Sequence, residues 1–169
     1  MNENIENIIM LKGLDLISIK IEDLQFGYDL WKLTQEEYYV KITGEWNENI
    51  QLEYYKEEIK RKIENNFIIK YDEKDIGWLE YEIFKEYIFI KKIHILTKYQ
   101  GKGIGTKIIN EIIKYCEKNN LDIYLDVFQY NEKGLNYYKK LGFKKYTESN
   151  LFNSLMYKIK NNKKRQTST

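Results

Sequence analysis

One short stretch changes its period, and that change constrains the chain more than any other feature. Residues 88–96 read IFIKKIHIL, an apolar run with the period-two spacing of a strand. Gly101, Gly103 and Gly105 follow, and Ile104, Ile108, Ile112 and Cys116 then recur at helical spacing. A strand that turns through glycines straight into a helix leaves the first backbone N–H groups of that helix without intrahelical partners, and glycines let an anion approach them. Residues 88–106 therefore predict a phosphate site, and the other elements must be arranged around it.

Upstream, alternation over Leu16 to Ile21 predicts a first strand with Ile17, Ile19 and Ile21 on one face. Asp23 is placed to cap a helix carrying Leu24, Leu30 and Leu33, with Gly27 as an irregularity, and the pattern breaks around Gly44. Asn47 caps a second helix whose stripe is Leu52, Tyr55, Ile59 and Ile63. Three strands follow over Phe67 to Tyr71, Ile76 to Phe84 and Tyr87 to Leu96; their connections are short and polar, which predicts an antiparallel meander.

Behind the glycine turn, Asn119 and Asn120 close the helix, and Leu121 to Phe128 returns as a strand. Strand, helix and strand of this length make a right-handed parallel crossover. Asn131 caps a short helix with Leu135, Tyr138 and Leu141 on one face, Gly142 ends it, and Phe143 to Tyr146 and Leu151 to Ile159 read as a closing hairpin. The chain is thus α/β (α+β), with an antiparallel meander followed by a β-α-β crossover that carries the phosphate turn.

Composition bounds the partners. At 169 residues the chain suits one domain over residues 1–160, followed by a polar basic tail, 161–169, that reads as disordered. A net charge of +2 does not call for nucleic acid, and Lys163, Lys164 and Arg165 fit a solvated tail. One cysteine excludes an intramolecular disulfide, and with one histidine there is no zinc cluster, so the expectation is a reduced, cytoplasmic setting and no metal. Ile8 to Leu11 is too short for a signal-peptide core, and no apolar run approaches the ~20 residues of a membrane span, so no membrane partner is expected.

Three glycine-loop chemistries compete for residues 100–106. A nucleotide P-loop needs Lys and then Ser or Thr after its last glycine, whereas Gly105, Thr106, Lys107 reverses that order. A dinucleotide fingerprint wants glycine where Thr106 stands and opens a βαβ unit, whereas here an antiparallel meander comes first. The third is a family resemblance. Gln100, Gly101, Lys102, Gly103, Ile104 and Gly105 resemble the Gln/Arg, x, x, Gly, x, Gly/Ala signature of the GNAT N-acetyltransferase superfamily. Downstream, Asn131, Glu132, Lys133, Gly134, Leu135, Asn136, Tyr137, Tyr138, Lys139, Lys140, Leu141, Gly142 and Phe143 resemble its Asn, x, x, Ala, x, x, Leu, Tyr, x, x, x, Gly, Phe segment. Gly134 stands for the usual alanine and Tyr137 for the usual aliphatic residue.

The resemblance implies a mixed, mostly antiparallel central sheet with helices on both faces, and an acetyl-CoA-dependent acyltransferase with no metal. Gln100 to Thr106 would cradle the pyrophosphate, and the strands on either side of the crossover would splay to admit pantetheine. Backbone groups of Ile93, Ile95 and Thr97, together with Asn131, would line that path. Tyr138 would be the general acid that protonates the leaving thiol, against the alternative of plain core packing. Direct attack by a small-molecule or peptide amine is implied, and a homodimer, common in that family, is a candidate assembly.

An alkyl amine with a pKa of about 10.4 must lose a proton before it attacks. Many relatives place a glutamate for this on the fourth strand, but Phe89, Ile90, Lys91 and Lys92 supply no carboxylate there. Glu80, Glu82, His94 and Glu45 remain alternatives, each with a structural reading beside it. The missing acid also keeps open a noncatalytic module that binds CoA or acyl-CoA. Cys116, mid-helix on the apolar stripe, reads as core and not as an acyl-accepting nucleophile.

Overall fold

The computed structural model describes residues 13–159. Ile8 to Leu11 and the tail 161–169 lie outside the described residues. In chain order the elements are β1 (Leu14–Ser18), α1 (Leu24–Thr43), α2 (Glu48–Lys60), β2 (Asn66–Tyr71), β3 (Lys74–Ile83) and β4 (Tyr87–Ile95). Then come α3 (Ile104–Asn119), β5 (Asp122–Phe128), α4 (Glu132–Lys140), β6 (Lys144–Glu148) and β7 (Phe152–Tyr157). The strands form one sheet in the order β1-β2-β3-β4-β5-β7-β6. Every neighbouring pair is antiparallel except β4 with β5, the two joined by the α3 crossover.

Each face has its own apolar cluster, which is why helices cover both. Ile104, Ile108, Ile109 and Ile112 of α3 pack with Ile88, Ile90, Ile123 and Leu125 of the central strands, and Leu135, Tyr138 and Leu141 of α4 join them. On the other face Tyr28 and Leu30 of α1 and Tyr55 and Ile59 of α2 pack around Trp78 of β3. Two of the expected N-caps are present: Asn47 Oδ1 accepts from the Ile50 N–H, and Asn131 Oδ1 from the Gly134 N–H at 2.8 Å.

Two local readings need correction. The first strand runs over Leu14–Ser18, and Leu14 and Leu16 are the buried positions, while Ile17 is 45% exposed and Ile21 57%. Ile17 lies opposite Ile68 on the edge strand, beyond the reach of the helices that cover Ile68. Alternation alone cannot say which phase of an edge strand faces the core. Asp23 precedes α1 but does not cap it; its carboxylate accepts from the Lys20 N–H at 2.8 Å and closes the preceding turn. α1 also runs to Thr43, through most of the stretch where the apolar pattern weakens, and ends at Gly44 with φ +93°.

Candidate functional site

The site is the fork where β4 and β5 part. They pair from Tyr87 opposite Asp122 to Ile90 opposite Leu125, and no further. Beyond that point β4 is held by β3 alone, with Ile93 opposite Leu79 and Ile95 opposite Gly77, while β5 continues beside β7. The edge of residues 91–95 that turns toward β5 therefore has no strand beside it among the described residues. Its last carbonyl, that of Ile95, accepts from Gln100 Nε2 at 2.8 Å.

A cavity of about 700 Å³ opens from this fork across the glycine turn. Ile93, Ile95, Thr97, Gln100, Gly101, Gly103, Ile104, Gly105, Thr106, Asn131 and Tyr138 all line it. Lys102 does not; its ammonium sits over the Tyr99 ring, 5.2 Å from the centroid. Gly101 and Gly103 adopt φ +72° and +78°, and a Cβ on either would meet no atom within 4 Å. Glycine is required there by backbone conformation and not by crowding. The first helical bond of α3 runs from the Lys107 N–H to the Gly103 carbonyl, which leaves the N–H groups of Ile104, Gly105 and Thr106 without intrahelical acceptors. An open concavity with these donors at its wall suits an anionic ligand.

α4 closes the far side. Lys133 Nζ donates to Gln100 Oε1 at 3.1 Å, tying the helix to the turn. Gly134 is fitted to the cap, because a Cβ there would come within 2.8 Å of the Asn131 side chain. Tyr138 packs edge-on against Tyr137 and Phe143 and also lines the cavity, so its packing does not withdraw it from the cavity wall. Burial raises its hydroxyl pKa well above the ordinary tyrosine value, keeping the proton in place at neutral pH.

A second cavity, about 260 Å³, continues from the fork beneath α1 and α2. Gln35, Ile93, His94, Asn131 and Tyr138 are common to both cavities. Trp31, Tyr54, Phe89, Phe128 and Phe152 give the second one aromatic walls, and Glu58 and Asp126 are its carboxylates.

The four candidate bases fare differently. A bulge at Lys91 leaves Tyr81 opposite Ile90 and Glu80 opposite Lys92, and sends two lysines toward the β3 glutamates. Glu80 is 1% exposed, with Lys92 Nζ at 2.6 Å and Lys91 Nζ at 3.6 Å. Glu82 is paired with Lys62 at 2.7 Å and Lys91 at 2.8 Å. Burial pushes its pKa up, but the hydrogen bonds and charges of the two lysines together outweigh that and hold it below the ordinary value. Neither glutamate lines either cavity, whereas Lys91 and Lys92 do. His94 lines both cavities, its Nδ1 3.0 Å from the Thr34 hydroxyl; burial, aided by the Lys92 charge, lowers its pKa to about 3. Glu45 is exposed and lines neither.

Asp126 and Thr34 carried no motif and were not singled out from the sequence; only strand pairing and helix packing bring them here. Cys116 is fully buried, and burial pushes its thiol up to about 12, which leaves no thiolate at neutral pH. Among the described residues, no group of three or more His, Cys, Asp or Glu is gathered as metal ligands would be, and no helix is long and apolar enough to cross a membrane.

Comparison with known proteins agrees with this geometry. The family described as acetyltransferase (GNAT) matches residues 27–143, more than half of the chain. N-alpha-acetyltransferase 50 of Danio rerio is 38% identical over 58 residues, which are 33% of this chain and 34% of that protein. Thialysine N-epsilon-acetyltransferase of Mus musculus is 36% identical over 63 residues, 37% of each chain. The matched segments thus span little more than a third of these curated relatives. Among solved structures, PaiA N-acetyltransferase from Thermoplasma acidophilum in complex with coenzyme A superposes with a TM-score of 0.65 at 22% identity, covering 86% of this chain and 98% of that one. That likeness extends to the fold.

Proposed function

Because this chain belongs to the acetyltransferase (GNAT) family, we propose that it is an N-acetyltransferase that passes an acetyl group from acetyl-CoA to an amine in a ternary complex. The observation that carries the proposal is the continuity of the β4–β5 fork with the glycine turn in one cavity. The turn from Gln100 to Thr106 and the start of α3 hold the pyrophosphate, and the open edge of β4 at Ile93 and Ile95 takes pantetheine. Acetyl-CoA supplies the activated acyl group; the protein supplies position, charge stabilisation and proton movement. A fixed β4 N–H aimed at the acetyl oxygen stabilises the charge that develops on it during transfer. Tyr138 donates the proton that the leaving thiolate takes up.

The acceptor enters from the second cavity, whose aromatic walls and carboxylates suit an amine. The alpha-amino and epsilon-amino chemistry in the relatives' names supports either a peptide amine or a small-molecule amine as acceptor. We place the enzyme as one domain in the reducing cytoplasm, where the free Cys116 is stable. A second reading, a noncatalytic CoA-binding module, is favoured by the lysines that stand where a fourth-strand carboxylate is usual. Thiol release from acetyl-CoA with thialysine and with peptides bearing free N-termini tests the proposal. Release with either acceptor supports the transferase, and CoA binding without release on any acceptor supports the module.

A further inference from the structure

The bases considered from the sequence leave the acceptor's proton without a destination: Glu80 and Glu82 are locked behind lysines, Glu45 lines neither cavity, and burial makes His94 a weak base. We propose that Asp126 takes it, an inference that rests on the N-acetyltransferase reading.

The argument begins with the phase of β5. Ile123, Leu125 and Val127 pack into the cluster under α3, so Tyr124, Asp126 and Phe128 occupy the opposite face, where the Phe128 ring meets Tyr39 of α1 edge-on at 6.4 Å. Leu125 is the last β5 residue opposite β4, which puts Asp126 at the vertex of the fork. It lines the acceptor cavity together with His94 and Tyr138, two of the residues shared with the larger cavity.

Its electrostatic situation differs from that of the other carboxylates. Asp126 Oδ1 accepts from the hydroxyl of Ser154, its cross-strand partner on β7, at 2.6 Å. This bond orients the group and leaves Oδ2 available, and no lysine or arginine among the described residues pairs with it. Glu58, the other carboxylate of that cavity, is bound to Lys92 at 3.1 Å, and Glu37 at the larger cavity to Lys41 at 2.6 Å. Asp126 is thus the cavity carboxylate free to receive a proton.

The step balances. The amine nitrogen bonds to the acetyl carbon, the C–S bond breaks, and the electron pair leaves on sulfur. Starting from the ammonium the nitrogen gives up two protons: the first passes to Asp126, directly or over one water, and on to solvent before attack, the second follows the same route as the C–N bond forms, and the Tyr138 hydroxyl proton passes to the thiolate. Solvent then takes the proton from Asp126 and returns one to Tyr138.

The test measures kcat and acetyl-CoA affinity for wild type, Asp126→Asn, Asp126→Ala and Asp126→Glu, with thialysine and a peptide with a free N-terminal methionine as amines. Expected is a loss in kcat of about 10²-fold or more for Asn and Ala, an acetyl-CoA Kd within about twofold of wild type, partial activity in Glu, and recovery of Asp126→Ala in added formate. Wild-type kcat in Asp126→Asn or Asp126→Ala overturns the assignment and leaves the transferase standing. A fall in kcat that comes with lost acetyl-CoA affinity, or that formate does not relieve, overturns it in favour of a structural role. If wild type releases no thiol with either amine, the transferase reading itself fails and the role of Asp126 falls with it.

Discussion

The Thr34 hydroxyl joins Nδ1 of His94 to the first helix: its oxygen lies 3.0 Å from that nitrogen and 2.9 Å from the Leu30 carbonyl. The Gln35 amide nitrogen lies 3.4 Å from the same Nδ1, so the ring's tautomer sets whether Nδ1 donates to the hydroxyl oxygen or accepts. Nε2 is buried with no hydrogen-bond partner among the described residues.

A ring held in this way resists protonation, and its effect on stability has a definite sign. The folded pKa of His94 is lowered to about 3 from 6.5, by burial first and the Lys92 charge second. Between those values the unfolded chain binds a proton that the folded one refuses. Stability from this site is therefore complete above pH 6.5 and is lost as the pH falls toward 3, with a slope of at most about 1.4 kcal/mol per pH unit. Urea unfolding at pH 7, 6 and 5 is expected to show wild type losing stability relative to His94→Gln. Parallel curves would contradict the neutral ring.

Gly101 and Gly103 are expected to be more sensitive than Gly105. Alanine at φ +72° or +78° costs roughly 1–2 kcal/mol in backbone strain and sets a methyl in the concavity. At Gly105 a Cβ meets Ile95 and Tyr137 at an ordinary 3.4 Å. Calorimetric titration with CoA should find a weakened Kd for Gly103→Ala and a smaller change for Gly105→Ala. The reverse order would place the anion elsewhere.

Tyr138→Phe keeps the ring contacts with Tyr137 and Phe143 and removes only the hydroxyl. Steady-state kinetics are expected to give a kcat reduced by about 10²-fold, with acetyl-CoA affinity little changed. Unchanged turnover would remove the acid role.

Glu80 and Lys92 form a buried pair at 2.6 Å, with the Lys92 ammonium also 5.7 Å from the centre of the Tyr55 ring. Lys92→Met leaves Glu80 with Lys91 at 3.6 Å, and a loss of about 3 kcal/mol in unfolding free energy is expected. Replacing both, Glu80→Leu with Lys92→Met, should restore most of it, because the uncompensated charge is then gone. Equal losses in the single and double variants would show that the pair is not coupled.

The geometry of the glycine turn was legible in residue order because it is local. Gly101 and Gly103 supply positive φ within one turn, Asn131 caps the N–H three residues ahead of it, and the period changes at Gly103. The surroundings of the smaller cavity were not, because they belong to pairs distant in sequence. Glu80 and Glu82 alternate like solvent-facing residues of an exposed strand; pairing β3 with a bulged β4 buries them against Lys91 and Lys92. Gly27 reads as a flaw in a helix, yet a Cβ there would lie 2.6 Å from both the Trp78 ring and the Tyr55 hydroxyl, so its absence lets α1 settle on the sheet.

The sequence by itself determined most of the elements, the crossover and the glycine turn, since backbone conformation and periodicity are set by residues within a few positions of one another. Tertiary structure decided which phase of β1 is buried, which carboxylates are neutralised, and that Asp126 stands at the fork with no basic partner among the described residues. Charge and burial depend on what lies across the sheet, and spacing along the chain does not carry that information.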